Sequence, residues 1–253
     1  MAITLFDSGN HRNIWLEDLD LGHAVQANQH MIIHGEDALL LDPGGPKTFR
    51  HAYPEALSLL RRSKLTRIFL SHQDPDIIAA LNPWLASTNA VAYVSQLWIR
   101  FIPHFGLDKV MSESCHAIPD EGGVIDVGGL DLLVLPAHFL HSAGNFQIYD
   151  PESKILYSGD LGASLGMDYL EVQDFDAHLE FMEGFHRRYM TNAKAMSHWA
   201  AMARKLDIET IAPQHGACFR GRDQVKRFID WADGFACGTD LLEPFELPTK
   251  RLD

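Results

Sequence analysis

The stretch SHQDPDII, residues 71–78, follows directly on the β-rich run RIFL at 67–70. A histidine at the end of an apolar run, leading into two carboxylates two residues apart, is either a polar surface turn or half of a metal site. Pro75 fixes its own φ and biases Asp74 toward an extended backbone, so the chain itself holds the spacing of His72, Asp74 and Asp76.

The same punctuation recurs downstream. His141 follows DLLVLPAHFL (131–140), Asp160 follows KILYSG (154–159) and His215 follows ETIAPQ (209–214). Each of these groups stands just past the end of an expected strand, and strand ends of a layered sheet can converge on one rim. Three imidazoles and three carboxylates are enough donors for two metal ions if one carboxylate is shared. Such nitrogen and oxygen shells favour iron or manganese, and zinc accepts the same donors.

Composition limits the partners. The 253 residues carry 34 acidic against 21 basic side chains, a formal net charge of −13. That balance lacks the basic footprint that nucleic acid or an anionic membrane requires, so neither is expected as a partner. The beginning, MAITLFDSGNHRN, has no basic segment followed by an apolar core, and no run of about 18 apolar residues occurs. We therefore expect a cytoplasmic protein. Cys115, Cys218 and Cys237 form no CxxC pair, which points to a reduced compartment and excludes a thiolate cluster. The 14 histidines leave imidazole as the abundant ligand.

Periodicity and turn residues supply the elements. VQANQHMII (25–33), HGED and ALLLDPGG (38–45) read as a hairpin. VIDV (124–127), a turn at Gly128-Gly129, DLLVLPA, NFQIYD (145–150) and KILYSGD read as further strands, as do AVAYVS (90–95) and ETIAPQ. EALSLLRR (55–62), DIIAALNPWLA (76–86), QLWIRFIPHFG (96–106), FDAHLEFMEGFHRRY (175–189), TNAKAMSHWAAMARKL (191–206) and DQVKRFIDWADGF (223–235) read as helices, with Thr191 or Asn192 as an N-cap. No short-period repeat or linker tract interrupts the chain. Two β-rich halves, each followed by helices, imply two packed sheets with helices outside.

The ordered motifs His72-x-Asp74-x-Asp76, His141-Ser-Ala-Gly144, Ser158-Gly-Asp160 and Pro213-Gln-His215-Gly216 resemble the metallo-β-lactamase superfamily. They are most similar to its di-iron branch, which holds flavodiiron proteins and stand-alone oxygen-binding di-iron proteins. The resemblance runs from the Asp42-Pro43-Gly44-Gly45 turn to His215. It implies an α+β fold, a four-layer αββα sandwich forming a single domain over 1–253. It further implies that His72, Asp74 and His141 hold one metal, that Asp160 bridges, and that Asp76 and His215 hold the second. Two departures matter. The hydrolases of the superfamily usually carry histidine at the place of Asp74, so its carboxylate favours two iron ions over zinc. The usual histidine after Asp76 is Ile77, which leaves the second metal one donor short.

His104 is the candidate for that missing donor, and a role beside the site or in the core is the competing reading. His138 could compete with His141 for the same metal and is read rather as adjacent to the site or exposed; Asp42 is read as ending a strand and bonding its turn, with a contact to a ligand histidine as the alternative; and His186 is read as surface or core edge. The stripe EFMEGFHRRYM is read as core or dimer surface, and only secondarily as a cofactor pocket. By resemblance the expected activity is binding of O2 or NO at the di-iron pair, as a sensor, a scavenger or a reductase. No bound flavin is expected in this chain, so electrons or signal would pass to an external redox or signalling protein partner, and a homodimer is implied. The alternative is a binuclear hydrolase acting on thioesters or phosphodiesters through metal-activated water.

Overall fold

The computed structural model describes residues 2–16, 26–106, 113–249 and 251. Strands β1 (Ala2–Asp7), β2 (His11–Leu16), β3 (Gln29–His34), β4 (Asp37–Leu41), β5 (Lys64–Phe69), β6 (Val91–Ser95) and β7 (Cys115–Ile118) form one sheet in that order. Strands β8 (Gly123–Val127), β9 (Leu130–Pro136), β10 (Phe146–Asp150), β11 (Ile155–Gly159), β12 (Thr210–Pro213) and β13 (Phe219–Arg220) form a second sheet. Helices α1 (Pro46–Leu60), α2 (Pro75–Ile78) and α3 (Leu81–Ser87) accompany the first sheet, and α4 (Phe175–Tyr189), α5 (Ala193–Ala203) and α6 (Arg222–Ala232) the second.

Three apolar clusters show why the layers form. Along β4, Leu39 and Leu41 face the second sheet, where they join Ile148, Ile155 and Tyr157. Ala38 and Leu40 face the other way, into a cluster with Ala52, Ala56 and Leu60 of α1. In the second sheet Leu156 and Ile211 turn outward onto Met182, Trp199 and Phe228 of α4, α5 and α6. Strands apolar on both faces must be covered on both, and an αββα stack is the result.

Parallel pairing sets the polarity of the rim. β4, β5 and β6 run in the same direction, as do β11 and β12. β9 and β11 both pair antiparallel with β10, so β9 shares the direction of β11. The amide of Phe146 donates to the Ser71 carbonyl at 2.9 Å, joining the start of β10 to the segment after β5. The segments that follow β5, β9, β11 and β12 therefore leave along one seam.

Several expectations are met and others are corrected. The β3–β4 hairpin and the β8–β9 hairpin form, and Asn192 caps α5 by accepting from the Ala195 amide at 2.9 Å. Val25, the first residue of the expected strand 25–33, lies outside the described residues. The helix expected over 76–86 is two short helices, because Pro83 lacks the amide that would bond Ala79 and its ring crowds that carbonyl. The helix expected at Glu55 begins nine residues earlier at Pro46, with Pro54 accommodated inside it. Residues 99–105 form a 3-10 helix rather than an α-helix. β1, β2, β7 and β13 carry weak alternation and were not expected. Among the described residues no helix is long and apolar enough to cross a membrane.

His186 departs from the surface reading. Its arginine neighbours are exposed, but the ring is fully buried, accepting at Nε2 from the Gly162 amide (2.9 Å) and donating from Nδ1 to the Met182 carbonyl (2.8 Å). Burial pushes this imidazole and that of His30 down to about 4.

Two predictions follow from these contacts. At the β8–β9 turn Gly128 has φ 62°, and an added Cβ would stand 2.5 Å from the His34 carbonyl oxygen of the first sheet, whereas Gly129, at φ 92°, meets nothing within 4 Å. Gly128→Ala should cost more than Gly129→Ala, by roughly 1–3 kcal/mol in urea unfolding, from strain plus the clash between sheets; equal costs would contradict the close approach. For pH, an imidazole whose folded pKa lies below its unfolded value of about 6.5 contributes stability that is complete above pH ~6.5 and is lost as pH falls toward about 4. Chelator-treated protein should lose stability over that window, and His186→Gln should flatten the loss by up to about 1.4 kcal/mol per pH unit. Identical slopes would refute the buried neutral imidazole.

Candidate metal centre

Six side chains meet at the seam. Asp74, extended at φ −66° and ψ 152°, precedes α2, and its carbonyl accepts from the amides of Ile77 (2.9 Å) and Ile78 (3.0 Å). This turn fixes Asp74 and Asp76 relative to His72, as the proline requires. His141 follows the β9 segment, where Asn145 Nδ2 ties the loop by donating to the Ala137 carbonyl at 3.3 Å and to that of Leu140. Asp160 follows β11 directly. His215 follows β12, and at Gly216, with φ 81°, a Cβ would stand 2.1 Å from Ser164 Oγ, so this loop closes onto the Asp160 loop only without a side chain.

The distances divide the cluster in two around Asp160. Its Oδ2 lies 2.9 Å from His141 Nε2 and 3.8 Å from His72 Nε2, and Asp74 Oδ2 stands 3.5 Å from the His141 and 3.8 Å from the His72 nitrogen. Its Oδ1 lies 3.5 Å from His215 Nε2, which is also 3.4 Å from Asp76 Oδ2. One oxygen of the buried carboxylate thus faces His72, Asp74 and His141, and the other faces Asp76 and His215. Asp160 is 6% exposed, while Asp74 and Asp76 are 34% and 42% exposed and border the open side.

Electrostatics follow from this crowding. Burial would raise the Asp160 carboxyl, but His72, His141 and His215 outweigh it and hold the group far below the carboxylate range. Burial lowers His72 against the pull of Asp160. Burial would lower His141 as well, but its hydrogen bond to Asp160 and the carboxylates around it raise it instead.

Other groups orient the rings. Ser71 Oγ lies 2.9 Å from His72 Nδ1, and His215 Nδ1 meets the Gln26 carbonyl, so Nε2 of each ring is turned to the cluster. Gln73 Nε2 donates to Asp74 Oδ1 at 2.9 Å and its Oε1 accepts from Ser142 Oγ, which fixes the other face of that carboxylate. Asp42, buried and at φ 51°, accepts from the Ser71 amide at 2.8 Å and is pushed up to about 7 by burial. It orders the segment leading to His72 and stands as the strand-ending residue expected.

The donors fit a pair of cations. Metal bonds of about 2.0–2.2 Å place neighbouring ligand atoms roughly 3 Å apart or slightly more, the range found here. Asp160 Oδ1 is buried and accepts no hydrogen bond, an orphaned anionic oxygen that a cation would satisfy. Three carboxylates against three imidazoles also leave negative charge for cations to balance.

The remaining candidates lie apart from the six. His104 is exposed on the 3-10 helix, and among the described residues no ion pair or ring contact joins it to the cluster. His138 donates from Nε2 to the Asp120 carbonyl at 2.8 Å and packs its ring on Phe146, which occupies it away from the site. Ile77 is fully buried in the α1–α3 cluster, so this position serves packing. What the sequence reading assigned elsewhere is the aromatic wall. Phe185 and Tyr189 stack at 4.7 Å and stand over His141, at 6.4 and 5.8 Å between ring centroids. Their i, i+4 spacing on α4 was the available signal. With Leu165 they wall a cleft of about 200 Å³ that Asp74, Asp76, His141, Asp160 and His215 also line.

The chain resembles known proteins in sequence and in fold. Residues 25–216 match the family described as ODP family beta lactamase. A structure of the peroxy diiron species of the chemotaxis sensor ODP is 40% identical, with a TM-score of 0.83 over 94% of this chain and 97% of that one. The apo state of the chemotaxis sensor ODP from T. denticola is 38% identical, with a TM-score of 0.82 over 95% of this chain and 97% of that one. The rubredoxin oxygen:oxidoreductase of Desulfovibrio gigas, at 14% identity and a TM-score of 0.77 over 92% of this chain and 60% of that one, shares the fold. In sequence, the diflavin flavoprotein A 1 of Synechocystis sp. is 26% identical over 218 residues, 80% of this chain and 36% of that protein. This chain therefore spans about a third of that curated relative, and 52% of a second, an uncharacterized protein of Methanocaldococcus jannaschii. On the family match over most of its length, the chain belongs to the ODP family of the metallo-β-lactamase superfamily.

Proposed function

We propose that this chain is a non-haem di-iron protein that binds O2. The observation that carries the reading is the division of donors around Asp160, one oxygen to each side. His72, Asp74 and His141 would hold the first iron and Asp76 and His215 the second, with Asp160 bridging. The first ion would have four protein donors and the second three, because Ile77 is a core residue. Iron, when bound, supplies the electrons and the open coordination positions that O2 or NO needs.

The chain's own residues do the rest. Asp74 adds a hard oxygen donor, which favours iron or manganese over zinc. Ser71 and the Gln26 carbonyl hold His72 and His215 with their Nε2 atoms inward. Phe185, Tyr189 and Leu165 give the cleft an apolar wall. The cleft, of about 200 Å³, has room for a diatomic molecule together with water. We assign the output to a protein partner, redox or signalling, with the chain acting in the cytoplasm as a homodimer; the 40% identical chemotaxis sensor supports the signalling branch.

Anaerobically reduced, iron-loaded protein should gain a new absorption band on O2 addition, and a spectrum unchanged by O2 would overturn the reading. Substitution separates the roles: Asp160→Asn should lower iron toward zero because the carboxylate serves both ions, and Asp76→Asn should remove about one of the two. Metal analysis showing full iron in Asp160→Asn would dismiss the bridge.

A further inference from the structure

At the opposite end of the strands, a second group of ligand-type side chains converges. His11 of β2 and His34 of β3 are directly opposed across the sheet ladder. Glu152 reaches them from the turn after β10, and one ligand atom from each residue lies within 4.8 Å of the other two. At about 3.3 Å per residue, β4 separates this end from the Asp42 rim by roughly 17 Å. The cluster is therefore separate from the six residues described above.

The hydrogen bonding around it resembles the support of a metal ligand. His11, fully buried, has Nε2 2.8 Å from Asp150 Oδ2. Asp150 accepts also from Asn13 Nδ2 (2.6 Å) and from the amides of Glu152 (3.0 Å) and Ser153 (3.3 Å). A carboxylate with that many donors is an anion, so the His11 ring carries its proton at Nε2 and presents the Nδ1 lone pair. A carboxylate behind an imidazole is the arrangement that orients metal-binding histidines and makes them more basic.

That lone pair faces His34, whose Nδ1 stands within hydrogen-bond distance of it in the absence of an ion. His11 Nδ1 lies 3.4 Å from His34 Nδ1, and a tetrahedral ion with bonds of about 2.0–2.1 Å sets its ligand atoms roughly 3.3 Å apart. Glu152 Oε2 stands 3.8 Å from His34 Nδ1, while Ser8 Oγ donates to Glu152 Oε1 at 3.1 Å and holds the carboxylate toward the pair. His34 and Glu152 are 18% and 36% exposed, which leaves an approach and room for a water as fourth ligand.

We propose that His11, His34 and Glu152 bind a divalent transition-metal ion of the zinc type, independently of the iron pair. Two imidazoles and one carboxylate select zinc or a neighbouring first-row ion over magnesium or calcium. Since His11 and His34 join β2 to β3 and Glu152 belongs to the second sheet, the ion would clamp the two sheets at the end remote from the iron pair.

The test is metal analysis of iron-loaded protein after anaerobic incubation with Zn2+ and removal of unbound ion. Wild type should keep its iron and gain about one zinc per chain. His34→Ala should keep the iron and the O2-induced band but not the zinc, and Asp150→Asn should bind zinc about 10- to 100-fold more weakly. Zinc gained only as iron is lost, zinc retained equally by His34→Ala, or no zinc in wild type would each overturn the proposal and leave the three residues a hydrogen-bonded cluster. Iron content and O2 response are read on the same samples, so failure here is distinct from failure of the di-iron reading.

Discussion

The buried carboxylate of Asp160 is the constraint on which the site depends. It is an anion at the seam of two apolar sheets, held ionised by three imidazoles, with one oxygen that no protein donor satisfies. A group of that kind is stable only if cations complete its surroundings. The surrounding scaffold has the form such a group requires. Parallel pairing sends β4 and β5 to one rim, β11 and β12 to the facing one, and the Gly216 turn lets the His215 loop pack against Ser164.

Placing the six side chains at strand ends separates stability from chemistry. The strands are buried on both faces and fixed by the three apolar clusters. The functional groups stand on short turns just beyond them, each with its own restraint: the proline turn for Asp74 and Asp76, Ser71 for His72, the Asn145 contacts for the His141 loop. Such a site is ordered by the protein's own contacts, so on the proposed di-iron reading little binding energy would be spent on ordering it. Ile77 shows the trade directly, since a position beside Asp76 is given to the core and, on the proposed di-iron reading, one metal would have fewer protein donors.

Much of this was legible in the chain. The alternation of apolar run and polar ligand type singled out six residues that the fold brings together, and turn chemistry located both hairpins, because those signals are local. What was missed depends on tertiary contacts. β2, with the segment HRNIWL, carries buried His11, Arg12 and Asn13, whose partners Asp150, the Leu59 carbonyl and Tyr157 are far away in sequence. No periodicity announces such a strand. His186 looked exposed beside two arginines, and its partner, the Gly162 amide, belongs to the loop after Asp160. His104 looked like a donor by its place in the chain, but a 3-10 turn ending at Gly106 leaves it in solvent. The wall formed by Phe185 and Tyr189 was read as core or interface because a helix stripe does not reveal what it faces.

The most direct test of the central claim is a crystal structure of anaerobically iron-loaded protein with anomalous scattering recorded at the iron edge. The account predicts two iron peaks roughly 3.5–4 Å apart, the carboxylate of Asp160 between them, and fewer protein ligands on the ion beside Asp76 and His215. A single peak, or two ions with Asp160 bound to only one of them, would contradict it.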